Sequence, residues 1–335
     1  MTTRGDTLGI VGAGRFGTAL ALVVARAGRR VVMWSRDRTA VAAIHQSRRS
    51  PRLPAAELPD ELVATAELGE LASAARLVVF AVRSTHMRDQ ARALGDVIDG
   101  SHIVIHAIGA LGARAKTPGE RRADRVSDVL GELLPTLKLG VLAGPALPED
   151  LIARQFSSMV VASPFDEVVA EGRRLLNAPP VLRVYGSSDF AGVELASALS
   201  GAYTVALGLA DALGIGPGAR AVLVTRVVAE AARFGAAAGA EPRTFAGLAG
   251  LGNLLVRGNS ERSADYVLGR ALARGERPTE ATFTEGARAA IAANELAADV
   301  GVRVPVLRGI ASVLAGTVSA ADAARLIGDT VAVEE

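Results

Sequence analysis

The chain has 335 residues, 50% of them hydrophobic, and a formal charge of +2 in which arginine supplies nearly all the positive groups. That length exceeds what one core usually serves and predicts two domains. With no cysteine there is no disulfide framework, thiolate metal site or cysteine nucleophile, and basic pairs such as Arg48-Arg49 and Arg121-Arg122 stand apart without aromatic residues between them, which reads as solvated faces rather than a nucleic-acid groove.

A strand is reached within a few residues of the start, with no apolar leader before it, so a cytoplasmic protein is expected. The apolar run Leu8 to Val11 reads as a buried strand and Thr18 to Ala27 as a helix. Between them lies G-x-G-x-x-G in Gly12, Gly14 and Gly17, with Arg15 and Phe16 inside the motif. In that setting Gly12 permits a tight turn, Gly14 lets a pyrophosphate approach the backbone, and Gly17 lets helix and strand pack closely. The helix N-terminus then offers N–H groups to phosphate, which predicts dinucleotide binding.

Val31 to Trp34 is the second parallel strand, and its tip, Ser35-Arg36-Asp37-Arg38, should meet the adenosine ribose. Ser35 and Arg36 lean toward NADP, while Asp37 keeps NAD open. A helix through Ala40 to Ser47 precedes the proline-punctuated loop Ser50 to Pro54 and a short strand near Val63-Ala64. Leu77 to Val82 and Ile103 to Ile105 are continuous apolar runs, as expected of strands covered on both faces. Ala110 to Asp124 is charged and turn-rich and predicts a mobile surface loop. Gly140 to Pro145, Met159 to Ser163 and Leu182 to Tyr185 read as further strands, with a helix from Asp166 to Leu176.

Beyond Ser188 the period becomes helical: Asp189 to Leu213, Ala219 to Ala238, Thr284 to Val300 and Val306 to Ala315. Leu195 to Ala210, bounded by Glu194 and Asp211, is short of a membrane span and reads as a buried core helix. The expected fold is α/β: a Rossmann-type doubly wound parallel sheet over residues 1–187, then an all-helical domain over 188–335. Long apolar helix faces make a homodimer a possible assembly. Four scattered histidines show no metal-ligand spacing.

Several stretches in order carry a resemblance to a family. They are Gly12 to Ala21, Leu53-Pro54, Gly144-Pro145, Arg183 to Tyr185, Asp189 to Leu195, Ala219-Arg220, Thr225-Arg226, Ala229-Glu230, Thr244 to Gly252 and Glu285-Gly286. In these the chain resembles the NAD(P)-dependent glycerol-3-phosphate dehydrogenase family, from Gly9 nearly to Ile327. The resemblance implies NAD or NADP as cofactor, held by Gly12, Gly14, Arg15, Phe16, Gly17, Ser35, Arg36 and Glu285. It also implies hydride transfer between the nicotinamide and C2 of glycerol 3-phosphate or dihydroxyacetone phosphate.

The family pattern is broken where its chemistry lies. Its two lysine positions fall at Ile108 and Ser200, its aspartate at Asn253, and its anion-gripping Arg-Asn pair at Ala264-Asp265. The chain has only Lys116 and Lys138 to offer instead, and Lys116 reads as a solvated loop residue. His106, at a strand end, is the acid–base candidate, since the imidazole side chain is suited by type to proton exchange near neutrality. Ser200, Tyr203, Asn253 and Arg257 could line a remodelled pocket. Three readings follow: a cofactor-binding pseudoenzyme or sensor, an NAD(P)-dependent oxidoreductase with a changed small-molecule substrate, and glycerol-3-phosphate dehydrogenase proper. The substitutions place the first two above the third.

Overall fold

The computed structural model describes residues 4–113 and 123–329. Among these, one compact unit draws on Met1–Ile108 and Val126–Phe190, and a second on Gly109–Arg125 and Ala191–Glu335.

The first unit opens with β1 (Thr7–Val11), α1 (Arg15–Arg26), β2 (Arg30–Trp34) and α2 (Arg38–Ser47). A small ribbon of β3 (Arg49–Ser50) and β4 (Leu53–Glu57) follows, replacing the plain loop that the prolines predict. The chain continues through β5 (Leu62–Thr65), α3 (Leu68–Ala74), β6 (Leu77–Phe80), α4 (Met87–Gly95) and β7 (Ile103–His106). It then makes β8 (Leu111–Ala113) and β9 (Ala123–Arg125) in the second unit and returns with α5 (Val126–Leu133), β10 (Leu139–Ala143), α6 (Pro148–Ile152), β11 (Ser157–Ala162), α7 (Asp166–Leu176) and β12 (Leu182–Ser187).

The sheet order is β12-β11-β10-β7-β6-β1-β2-β5. From β5 to β10 every pairing is parallel, and the order runs outward from β1 in both directions, so the chain reverses between β1 and β6. Such a switch point opens a crevice at the carboxyl ends of the strands. β11 enters antiparallel to β10 and pairs parallel with β12, so the parallel-dominated sheet carries one antiparallel step at this edge. Leu8, Ile10, Val79 and Ile105 are wholly buried, each contributing on the order of 2 kcal/mol relative to exposure. That is why these runs are apolar without alternation.

The second unit is helical apart from the antiparallel β8–β9 ribbon, which packs against α12 (Glu285–Asp299). That contact draws Gly109–Arg125 away from the first unit, where a single boundary at 187/188 would leave it. The expected mobile loop over 110–124 is therefore ribbon at both ends; Lys116 and the rest of 114–122 lie outside the described residues. The other helices are α8 (Phe190–Ala212), α9 (Pro217–Ala237), α10 (Asn253–Arg257), α11 (Ala264–Ala273), α13 (Pro305–Ala315) and α14 (Ala320–Asp329).

α8 is 23 residues long and apolar enough by composition to cross a membrane, yet its apolar window is entirely buried, so it serves as the core helix. Glu230 on α9 is buried and accepts from the backbone N–H groups of Val306 and Leu307 at 2.9 and 3.0 Å and from the Tyr203 hydroxyl at 3.1 Å. One carboxylate thus satisfies the first-turn donors of α13 and ties them to α8 and α9. Burial nevertheless pushes its pKa above the ordinary carboxyl value, the hydrogen bonds opposing that rise only in part.

Candidate active site

The glycine motif sits at the switch point of the first unit. Gly12 has φ +118°, and a Cβ there would lie 2.4 Å from the carbonyl oxygen of Ala81, just past β6. A Cβ on Gly17 would lie 2.1 Å from the Gly12 carbonyl oxygen, so neither position admits a side chain. Gly14 has open space at the Cβ position and begins α1 with no side-chain cap. The first-turn N–H groups at Arg15 to Gly17 are thereby left to an external acceptor, and nothing at Gly14 blocks its approach. This cradle fits a dinucleotide pyrophosphate. Arg15 is largely exposed and pairs with Glu149 of α6, while Phe16 packs partly against the core.

At the tip of β2, Asp37 caps α2, its carboxylate accepting from the Ala40 N–H at 3.0 Å. Ser35 Oγ accepts from the Asp37 N–H at 3.1 Å. Arg36 stays exposed and donates to His86 Nε2 at 3.1 Å. The carboxylate that kept NAD open is therefore employed by the helix, and the side chain projecting at the tip is the cation.

His106 ends β7 with no exposed surface, its Nδ1 accepting from the Ile108 N–H at 3.4 Å. Ile108 itself is buried. Lys138 stands just before β10 and pairs with Glu167 at 3.0 Å, a carboxylate that also holds Arg76, just before β6. Both cations lie at the amino edge of the parallel strands, opposite the glycine turn. The one described lysine is thus remote from any ligand in the crevice.

The second unit gathers the remaining candidates. Ser200 on α8 donates to the Ser197 carbonyl at 2.7 Å and accepts from Asn253 Nδ2 at 2.8 Å; both side chains are buried. Asn253 and Arg257 are four apart on α10 and share a face. Arg257 lies beside Gly201, its Nη1 3.3 Å from where a Cβ there would sit. Its Nη2 is 3.5 Å from Asp265 Oδ2, and Asp265 Oδ1 accepts from the Gly286 N–H at 2.9 Å. Thr284 caps α12, accepting from the Ala287 N–H at 3.2 Å, and Glu285 opens the first turn. A Cβ on Gly286 would lie 2.4 Å from the Gly201 carbonyl oxygen, so α12 meets α8 only through glycine. The structure therefore assembles Ser200 with Asn253, and beside them an Arg257–Asp265 pair that sequence reasoning did not connect. Opposite charges eight positions apart on two helices leave no periodic signal. Tyr203 faces away, onto Glu230.

Comparison with known proteins completes the site's context. Residues 7–169 match the family described as NAD-dependent glycerol-3-phosphate dehydrogenase N-terminus, and residues 189–325 match its C-terminus counterpart. A curated glycerol-3-phosphate dehydrogenase [NAD(P)+] from Bradyrhizobium sp. (strain ORS 278) is 34% identical over 95% of each chain. One from Ectopseudomonas mendocina is 33% identical over 92% of this chain and 89% of that one. The crystal structure of glycerol-3-phosphate dehydrogenase from Coxiella burnetii superposes with TM-score 0.87 at 25% identity, covering 98% of this chain and all of that one. These relatives overturn the ranking that put a pseudoenzyme or a changed substrate first: identity persists through both domains and nearly the full length, so dehydrogenase proper is the better-supported reading.

Proposed function

The chain belongs to the NAD-dependent glycerol-3-phosphate dehydrogenase family, and on that premise we propose that it catalyses reversible hydride transfer between NAD(P)H and dihydroxyacetone phosphate in the cytoplasm, giving glycerol 3-phosphate. The observation that carries this reading is the 34% identity to a curated dehydrogenase over 95% of both chains. The residues of the first unit fit the cofactor: the strained Gly12, the open Gly14 and the uncapped start of α1 form a cradle for its pyrophosphate. The nicotinamide, when bound, supplies the hydride for C2 of the substrate, and the oxygen on C2 takes a proton.

Exposed Arg36, with Asp37 held as a helix cap, supports NADP over NAD. This family member works without lysine at 108 and 200. Ser200 and Asn253 form a neutral pair able to orient a polar group through hydrogen bonds but not to exchange a proton near neutrality. Of the candidates, His106 alone places an imidazole, a group able to hold and release a proton, at the carboxyl end of a sheet strand. The test is consumption of NADH and NADPH by the purified chain with dihydroxyacetone phosphate. Glycerol 3-phosphate formed mole for mole with oxidised cofactor supports the reading, and cofactor binding without product contradicts it.

A further inference from the structure

We propose that Arg257, held in place by Asp265, is the phosphate-anchoring residue of the second unit; this rests on the reading that the substrate is a phosphorylated ketone. Arg257 shares a face of α10 with Asn253, which donates to Ser200 of α8, and its guanidinium reaches Gly201, the next residue of that helix. The space it uses is made by Gly201: Arg257 Nη1, Asp265 Oδ2 and Gly286 Cα all lie 3.3 Å from where a side chain would begin. Asp265 has 4% of its side chain exposed and Arg257 29%. The carboxylate is therefore a covered base and the guanidinium the open end.

Asp265 does two positioning jobs at once. One oxygen takes the Gly286 N–H, which with the Thr284 cap serves the start of α12, and the other lies 3.5 Å from the guanidinium Nη2. A planar fork with five donors gripped on one side keeps the others in a fixed direction, the geometry that suits a phosphate. Other arginines of the unit are spent differently: Arg220 is held by Asp211 and the Gly258 carbonyl, and Arg288 lies over the Phe283 ring, 5.1 Å from its centroid. A guanidinium beside two neutral polar side chains distinguishes a phosphorylated three-carbon ketone from its uncharged analogue.

The experiment compares wild type, Arg257→Met, Arg257→Lys, Asp265→Asn and the Arg257→Met/Asp265→Asn double variant on dihydroxyacetone phosphate and on dihydroxyacetone. Charged hydrogen bonds of this kind predict a KM for the phosphorylated substrate raised on the order of 10- to 100-fold in Arg257→Met. The loss should be smaller with unphosphorylated dihydroxyacetone, which has no phosphate to anchor, and Arg257→Lys should recover part of the loss because charge returns without the fork. Asp265→Asn keeps the acceptor for Gly286 and is expected to raise KM less than Arg257→Met does. Should Arg257→Met fail to fold because a buried carboxylate has lost its partner, the double variant removes that charge and carries the same prediction. Unchanged KM in a folded variant overturns the proposal. If wild type turns over no dihydroxyacetone phosphate, the reaction reading fails separately. Calorimetry with inorganic phosphate then decides: binding lost in the Arg257 variants upholds the anchor, and binding equal in all of them overturns it.

Discussion

At the scale of single residues, the candidate groups of the first unit are glycines and those of the second are polar and charged side chains. Gly12 and Gly17 are legible because no other residue fits a backbone carbonyl 2.4 or 2.1 Å from its Cβ position. The tip of β2 is half legible: Arg36 projects as expected, but only the structure reveals that Asp37 belongs to α2. Arg36→Glu should therefore move cofactor preference from NADPH toward NADH, lowering kcat/KM for NADPH on the order of tenfold or more, as loss of a charged contact does; unchanged preference would show that the arginine serves only His86. His106→Gln is expected to lower kcat on the order of 100-fold, the lower range of general acid–base effects, with NADPH affinity kept. Full activity in that variant would remove the histidine from the reaction. The Arg257–Asp265 pair was hidden because its members come from α10 and α11 and meet only in three dimensions.

Among the elements, apolar continuity announced β1, β6 and β7, and helical periodicity announced α7, α8, α9, α12 and α13 within a few residues. The β3–β4 and β8–β9 ribbons were not announced, since strands of two to five residues carry no period long enough to register. α10 and α11 escaped for a related reason: five and ten residues, interrupted by glycine and serine, hold a position by packing against α8 and α12 and not by local preference. Glu230 shows what such docking depends on. Glu230→Ala leaves two α13 N–H groups and the Tyr203 hydroxyl without their acceptor. It should cost about 3 kcal/mol or more in denaturant unfolding, at about 1–3 kcal/mol for each stranded buried donor, whereas a loss below about 1 kcal/mol would mean water replaces the carboxylate without penalty. The raised pKa adds a sign. A carboxyl whose folded pKa lies above its unfolded value contributes stability that is complete below the unfolded value and fades as pH rises through the folded one. The stability of wild type relative to Glu230→Gln should accordingly decline from acid toward neutral pH.

For the whole molecule, the chain divides into a sheet unit that carries the glycine cradle and a helical unit that carries the polar cluster, and the likeness to a curated dehydrogenase extends over 95% of both chains. The two-domain plan was legible from length and from the change of period near Ser188. The exchange of Gly109–Arg125 into the second unit was not, because it depends on what the ribbon packs against. Activity was ranked low from five substituted positions, and the identity to curated dehydrogenases over nearly the whole chain overturns that ranking. The central claim is a working dehydrogenase without the two lysines, and initial-rate measurement of NADPH oxidation by the purified chain with saturating dihydroxyacetone phosphate tests it most directly. Turnover on the order of 10 per second, typical of enzymes, is the expected result. NADPH bound in calorimetry but not oxidised above the protein-free rate would contradict it.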